Sequence, residues 1–241
     1  MISIDSLIYK IDQKLNKLSA NSHQQIPLED KILVLNEAQI LLIKQKMDPK
    51  DSVAGMDSSK KRYEDLQNLV EPHEAHKLAL TETNAQLNKW TASIANITPE
   101  YMFYADSYIL ADKGRCKDRK IWINQDLTKH GDVQFLLNNE LYKPSFEYQE
   151  TFNYLSSDEI SIFTDGTFTP TFIFLSYVRY PLYMDKAGYI NLDGNDSVDQ
   201  DCELKSFLED ELLDIVVQRL AMYTENVSGV QSSQIRIQTN E

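Results

Sequence analysis

The sequence predicts an α+β protein: a bundle of N-terminal helices and a long C-terminal helix, with an antiparallel β region inserted between them. Three observations carry this. Apolar side chains recur at helical spacing through residues 4–47. Residues 77–190 are rich in Tyr, Phe, Thr and Ile, in short runs broken by Gly, Pro, Asn and Asp, the pattern of strands and turns. Residues 204–223 return to a helical stripe. The chain therefore divides into an N-terminal helical segment 1–71, a β-rich region 72–195, a C-terminal helix within 196–230 that completes the bundle, and an extended interaction tail 231–241.

Each element has a local reason. Ile4, Leu7, Ile8, Ile11, Leu15 and Leu18 form one side of a first helix over 4–18, with Lys10, Lys14 and Lys17 on the other. Residues 20–25 are a polar turn. Pro27 opens a second helix, where its missing N–H costs little, and Glu29 and Asp30 suit that helix's positive end. Residues 32–43 are apolar almost all round, so this helix is expected to be buried between others and to stop before Pro49. A polar loop over 48–59 leads to a third helix over 60–70, ended by Pro72. Strands are expected at 77–83, 88–96, 101–111, 117–124, 146–154, 159–164 and 170–179, with Asp112-Lys113-Gly114 as a hairpin turn and a short helix over 128–139. Asp201 reads as the N-cap of the last helix, with Glu203 in its first turn. Leu204, Phe207, Leu208, Leu212, Ile215, Val216, Leu220 and Tyr223 make its stripe, and Gly229 ends it. Ile8, Ile11, Leu35, Leu42, Leu212 and Ile215 are expected to meet in one core.

At 241 residues and 42% hydrophobic content the chain can bury a sizeable core. No apolar run approaches the roughly 20 residues of a membrane span. Residues 1–5 lack the basic patch and apolar stretch of a signal peptide, which points to synthesis in a cytoplasm. Cys116 and Cys202 lie far apart and read as reduced packing residues. The net charge of -13 is unevenly placed: 17 basic and 17 acidic side chains fall in residues 1–125, but 7 basic and 20 acidic ones in 126–241. Such asymmetry argues against general DNA binding, which needs cations to displace phosphate counterions. It suits solubility, a surface that repels nucleic acid, or a basic partner.

The motifs that would carry chemistry fail on inspection. His73-Glu74-Ala75-His76 spaces two histidines at i and i+3, whereas a zinc-protease helix needs i and i+4, and no third ligand follows. Residues 193–201 are rich in Asp and Asn, but an EF-hand loop read from Asp193 places Val198 where glycine is required and Leu204 where a bidentate glutamate belongs. There is no Gly-rich phosphate loop and no Gly-x-Ser-x-Gly elbow. The expectation is a protein that is not an enzyme and holds no metal or cofactor. One patch stands out. Arg115, Lys117 and Arg119 alternate along a predicted strand, beside Lys113 and Lys120. This is either a charge-protected hairpin edge or a docking patch for an acidic neighbour.

Several short motifs follow one another in a definite order. They are Leu35-Asn36-Glu37-Ala38-Gln39 on the second helix; Lys61-Arg62-x-x-Asp65-Leu66-x-x-Leu69-Val70 after a polar loop; Pro99-Glu100-Tyr101-Met102-Phe103-Tyr104 leading into a strand; Lys143-Pro144-Ser145; Leu175-Ser176-Tyr177-Val178-Arg179-Tyr180-Pro181; and Cys202-Glu203-Leu204 ahead of Glu211-x-x-Asp214-Ile215-Val216. This ordered set, over about residues 28–228, resembles head-to-tail connector (ring) proteins of tailed phages, the crAss-like podophages in particular. A departure is Ile26-Pro27-Leu28, where many relatives would carry a bulky aromatic. The resemblance implies a virion structural protein of the neck, forming a homo-oligomeric, twelvefold ring between portal and tail, with DNA passing through its bore unbound. On that reading the acidic second half supplies the channel wall, with Glu209, Asp210 and Asp214 as its candidate residues.

In residues 231–241 the aliphatic side chains are Ile235 and Ile237, alternating with Arg236 and Gln238. Two isoleucines are too few to order eleven residues against a backbone entropy of ~1–2 kcal/mol each. Ile235, Arg236 and Ile237 are therefore expected to pair with the sheet edge of another subunit or of another connector protein. A different class of reading also stands: a β-rich module of a virion or cell surface that recognises sugar or protein through some of its 13 tyrosines. A third is a metal-dependent hydrolase built on His73 and His76.

Overall fold

The computed structural model describes residues 2–18, 26–47, 64–123, 128–190 and 194–223. They form two units: a helical one of residues 1–69 and 181–241, and a β unit of residues 70–180. Residues 181–190, placed in the β region by composition, fold with the helices instead. Asn36 explains why: its side-chain carbonyl accepts the Met184 N–H at 2.8 Å and its amide donates to the Met184 carbonyl at 2.9 Å.

The helical unit contains α1 (Ile4–Leu18), α2 (Leu28–Met47) and, after the β unit in sequence, α4 (Glu209–Tyr223). Leu7, Ile11, Ile32, Leu35, Leu42, Leu212 and Ile215 are buried, while Ile8 is half-buried. Ion pairs staple the helices: Lys10 to Glu209 at 2.7 Å, Lys14 to Asp214 at 2.7 Å, Lys31 to Asp12 at 2.7 Å, Lys46 to Glu211 at 2.6 Å, and Arg219 to Glu37.

The expected architecture, a bundle completed by a long C-terminal helix, is not what forms. The chain is a mixed helix-and-sheet protein with two sheets and, among the described residues, four short α-helices. The stripe from Leu204 onward predicted one helix from Asp201 to Gly229. The observed α4 has 15 residues, preceded by a single 3-10 turn at Ser206–Leu208. Residues 224–229 lie outside the described residues. The cause is tertiary. Cys202 exchanges backbone hydrogen bonds with Ile2 at 3.0 Å in each direction. Asp201 caps α1 rather than α4, its carboxylate accepting the Ile4 N–H at 3.0 Å. Glu203, buried, accepts the Leu182 N–H at 2.8 Å. Held in this way, residues 201–205 are not helical, and Phe207, assigned to the buried stripe, is 57% exposed. Of the third predicted helix, residues 60–63 lie outside the described residues, 64–65 are helical and 67–69 form a 3-10 turn.

Among the described residues the β unit contains ten strands: β1 (Val70–Glu71), β2 (Lys77–Ala79), β3 (Thr81–Asn84), β4 (Lys89–Ser93), β5 (Tyr101–Lys113), β6 (Cys116–Ile123), β7 (Glu150–Thr151), β8 (Asn153–Ser156), β9 (Glu159–Phe163) and β10 (Thr169–Arg179). One sheet has the order β1-β10-β5-β6-β7, with β2 also paired to β10; the other has the order β3-β4-β9-β8. Pairing is antiparallel except between β6 and β7, a further departure from the all-antiparallel region expected. The predicted 77–83 strand divides at Leu80, whose N–H bonds to the Thr171 carbonyl, so β2 and β3 join different sheets. The sheets share one apolar core that includes Ala92, Ile109, Ile121, Ile160, Ile162, Ile173 and Tyr177. α3 (Val133–Asn138) packs Val133, Leu136 and Leu137 on Phe152, Tyr154 and Phe163.

Candidate functional site

Strand alternation puts Ile109, Ala111, Ile121, Ile173 and Leu175 in the core and sends their neighbours to the opposite face of the larger sheet. That outer face is not polar. Register aligns Lys77, Phe174, Tyr108 and Trp122 in one row across β2, β10, β5 and β6, and Ala79, Phe172, Leu110 and Lys120 in the next. Tyr108 and Phe174 stack nearly parallel, with centroids 4.9 Å apart and 7° between planes. Trp122 meets Tyr108 edge-on at 5.5 Å and is 48% exposed. The Lys120 ammonium sits 3.7 Å from the Tyr108 centroid and 3.9 Å from that of Trp122; Lys77 lies 3.8 Å from that of Phe172. These are cation–π distances, and each ring carries its lysine's stem as well as its charge. Burial, with the negative Glu74 nearby, pushes the Tyr108 hydroxyl above its ordinary range, so it remains a neutral donor.

His73 extends this face, its ring 5.3 Å from Tyr108 and 6.4 Å from Trp122, with Nε2 3.4 Å from Asp106. His76 belongs elsewhere: it packs on Tyr177 at 4.8 Å, with Nε2 3.7 Å from Glu71. The two histidines thus take separate carboxylates, and among the described residues no group of three or more His, Cys, Asp or Glu is arranged to hold a metal. Residues 191–193 of the Asp-rich loop lie outside the described residues. Asp199 there is already engaged, accepting the Ala187 N–H at 2.9 Å and pairing with Lys186 at 3.2 Å.

The alternating basic residues do not form one free patch. Lys113 pairs with Glu147 at 2.7 Å and Lys117 with Asp112 at 3.0 Å. The Asp118 N–H and then Lys117 hold the Asp112 carboxyl below its usual range, and Lys113 does the same for Glu147. Arg119 lies over Phe146 at 5.2 Å, and Arg115 is exposed beside the turn at Gly114. Gly114 has φ +58 and Asp118 φ +50, so the hairpin's strand is irregular and strict alternation breaks there. Of the acidic candidates, Asp210 is exposed. Asp214 is buried against Lys14, and Glu209, half-buried, is paired with Lys10. Ile235, Arg236 and Ile237 lie outside the described residues. Cys116 is exposed; Cys202 is buried, which pushes its thiol up to about 11.

The aromatic rows were absent from the sequence-based candidates, although a signal existed. Phe172, Ile173, Phe174 and Leu175 are consecutive apolar residues in a strand that has two faces, so one face had to present rings away from the core. No protein-family model matches this chain, and no curated protein matches it. No helix among the described residues is long and apolar enough to cross a membrane.

Proposed function

We propose that the chain is a structural subunit of the head-to-tail connector of a tailed phage, forming a ring between portal and tail through which DNA passes. The carrying observation is the ring-and-lysine face of the larger sheet. A contiguous surface of Phe172, Phe174, Tyr108 and Leu110, each half-buried, runs to the exposed Trp122. Exposed apolar patches rimmed by charge mark contact surfaces, and aromatic residues are enriched in them. The ordered motif set that resembles connector proteins supports the same reading. Antibody labelling of intact particles, viewed by electron microscopy, tests it: label at the neck is expected, and label on the capsid or distal tail refutes it.

A second reading, a β-rich module that binds sugar or protein, is favoured by Trp122, whose half-exposed ring offers a stacking surface. A glycan array separates the two. Saturable binding by the monomer, abolished by Trp122→Ala, selects the module.

A further inference from the structure

The outer face of the larger sheet holds hydrogen-bond donors that the chain leaves unused. Lys77 and Lys120 are exposed, and among the described residues neither forms an ion pair or a hydrogen bond. Each ammonium rests on ring faces and keeps N–H groups for a further partner. The Tyr108 hydroxyl also has no hydrogen-bond partner among the described residues, and it reaches solvent. The indole N–H of Trp122, a residue 48% exposed, is likewise without one.

Register sets the spacing of these groups. Tyr108 and Trp122 stand opposite each other on β5 and β6, and Lys120 is the next residue of β6 on that face. Lys77 stands opposite Phe174, on β2. Three strand spacings separate β2 from β6, so the two lysines are roughly 15 Å apart at their Cα atoms. A matching ligand supplies acceptors and negative charge towards both ends, and a flat apolar surface for the indole.

Carboxylated sugars combine these features. Their hydroxyl and carboxylate oxygens accept from lysine, tyrosine and indole donors, and one C–H-lined face of a pyranose ring lies flat on an aromatic ring. A phosphodiester chain fits less well. Glu74 is exposed and acts on Tyr108, Asp106 stands on the same face beside His73, and the chain's net charge of -13 repels a polyanion. Towards a sugar the same two carboxylates are acceptors for hydroxyl groups. An acidic peptide brings carboxylates but no rigid apolar ring face.

We infer that the Lys77–Tyr108–Lys120–Trp122 face binds a short glycan containing hexuronic acid, with a pyranose ring on Trp122 and its carboxylate at Lys120. Lys77 takes a second carboxylate at the far end. This rests on the sugar-binding reading of the face and names the class of sugar.

The test is isothermal titration of the full chain with tetramers of galacturonate, glucuronate and mannuronate, each as the free acid and as its methyl ester. The ester keeps the sugar rings and removes the charge. For at least one tetramer the acid should bind at least ~tenfold more tightly than the ester, the worth of one charge-assisted hydrogen bond. That margin should shrink as salt rises. In a Lys77→Gln/Lys120→Gln variant, acid and ester should bind alike; in Trp122→Ala, neither should bind. Folding of each variant is checked by its thermal transition in circular dichroism. An ester that binds as tightly as its acid, or a lysine variant that keeps the preference for acid, overturns the carboxylated sugar but not the sugar-binding module. Absence of binding by every tetramer overturns the inference, while Trp122-dependent binding of neutral glycans on the array would retain the module alone. Tetraglutamate and a short oligothymidylate serve as the other anions: tighter binding of either than of every uronate tetramer overturns the sugar in favour of an acidic peptide or a single-stranded nucleic acid.

Discussion

Asn36 holds the returning chain to α2, and replacing it by Leu tests whether that clamp organises the helical unit. Leucine keeps the branched heavy-atom shape and removes the amide. Three hydrogen bonds disappear: Oδ1 to the Met184 N–H at 2.8 Å, and Nδ2 to the Met184 and Ile32 carbonyls, both at 2.9 Å. The Ile32 carbonyl is in mid-helix and keeps its helical partner. Met184 is 0% exposed, so its N–H and carbonyl are left without their side-chain partner and away from water. An orphaned buried group costs about 1–3 kcal/mol. Two of them, less a few tenths for leucine's better helix propensity, give a loss of about 2–5 kcal/mol. For a protein of this length that lowers Tm by roughly 4–20 °C. The assay is built in, because Trp90 and Trp122 both lie in the β unit. Helical ellipticity at 222 nm follows the helical unit, and tryptophan fluorescence follows the β unit in the same sample. An Asn36→Leu protein whose ellipticity transition coincides with that of the wild type refutes the clamp.

Three other perturbations probe neighbouring claims. Leu212→Asp places a charge at a fully buried position and should cost several kcal/mol; limited proteolysis should then cut residues 2–47 rapidly, and wild-type resistance would refute the packing. Asp201→Ala removes the cap on the first N–H of α1 and should cost about 1 kcal/mol, read from the ellipticity transition; no shift would mean that the bond contributes nothing. Asp112 has a carboxyl held below its ordinary value by the Asp118 N–H and Lys117. A depressed carboxyl contributes stability above its unfolded pKa and loses it as pH falls through the folded one, so the hairpin turn should loosen below about pH 4. The Asp118 amide resonance should move in that window and should not in Asp112→Asn; a titration at the ordinary Asp value would count against the hydrogen bond.

Where the deciding information is local, sequence reading succeeded. α1 and α2 follow from 3.6-residue apolar spacing, with Pro27 at the start of α2, and Gly114 stands where the hairpin needs φ +58. The strands over 101–123 and 169–179 follow from alternating or wholly apolar runs. It failed where a distant residue competed for the backbone. Leu204 and Leu208 fit a helical stripe, but Ile2, 200 positions away, holds Cys202 in a bridge, and Ile4 takes the Asp201 cap. The single strand read over 77–83 breaks at Leu80 because Thr171 claims its N–H.

The candidate site shows the same division. Alternation alone dictates that Phe172 and Phe174, Tyr108 and Leu110, and Lys120 and Trp122 leave the core on one face of their own strands. Which of them become neighbours is a matter of register between strands as far apart in sequence as β2 and β10, and only the assembled sheet sets that. Charge divides likewise. The acidic excess of residues 126–241 is a property of the sequence. That Asp214 and Glu209 are consumed by Lys14 and Lys10, while Asp210 remains exposed, was decided by the packing of α1 against α4, because an ion pair depends on distance in space and not on position along the chain.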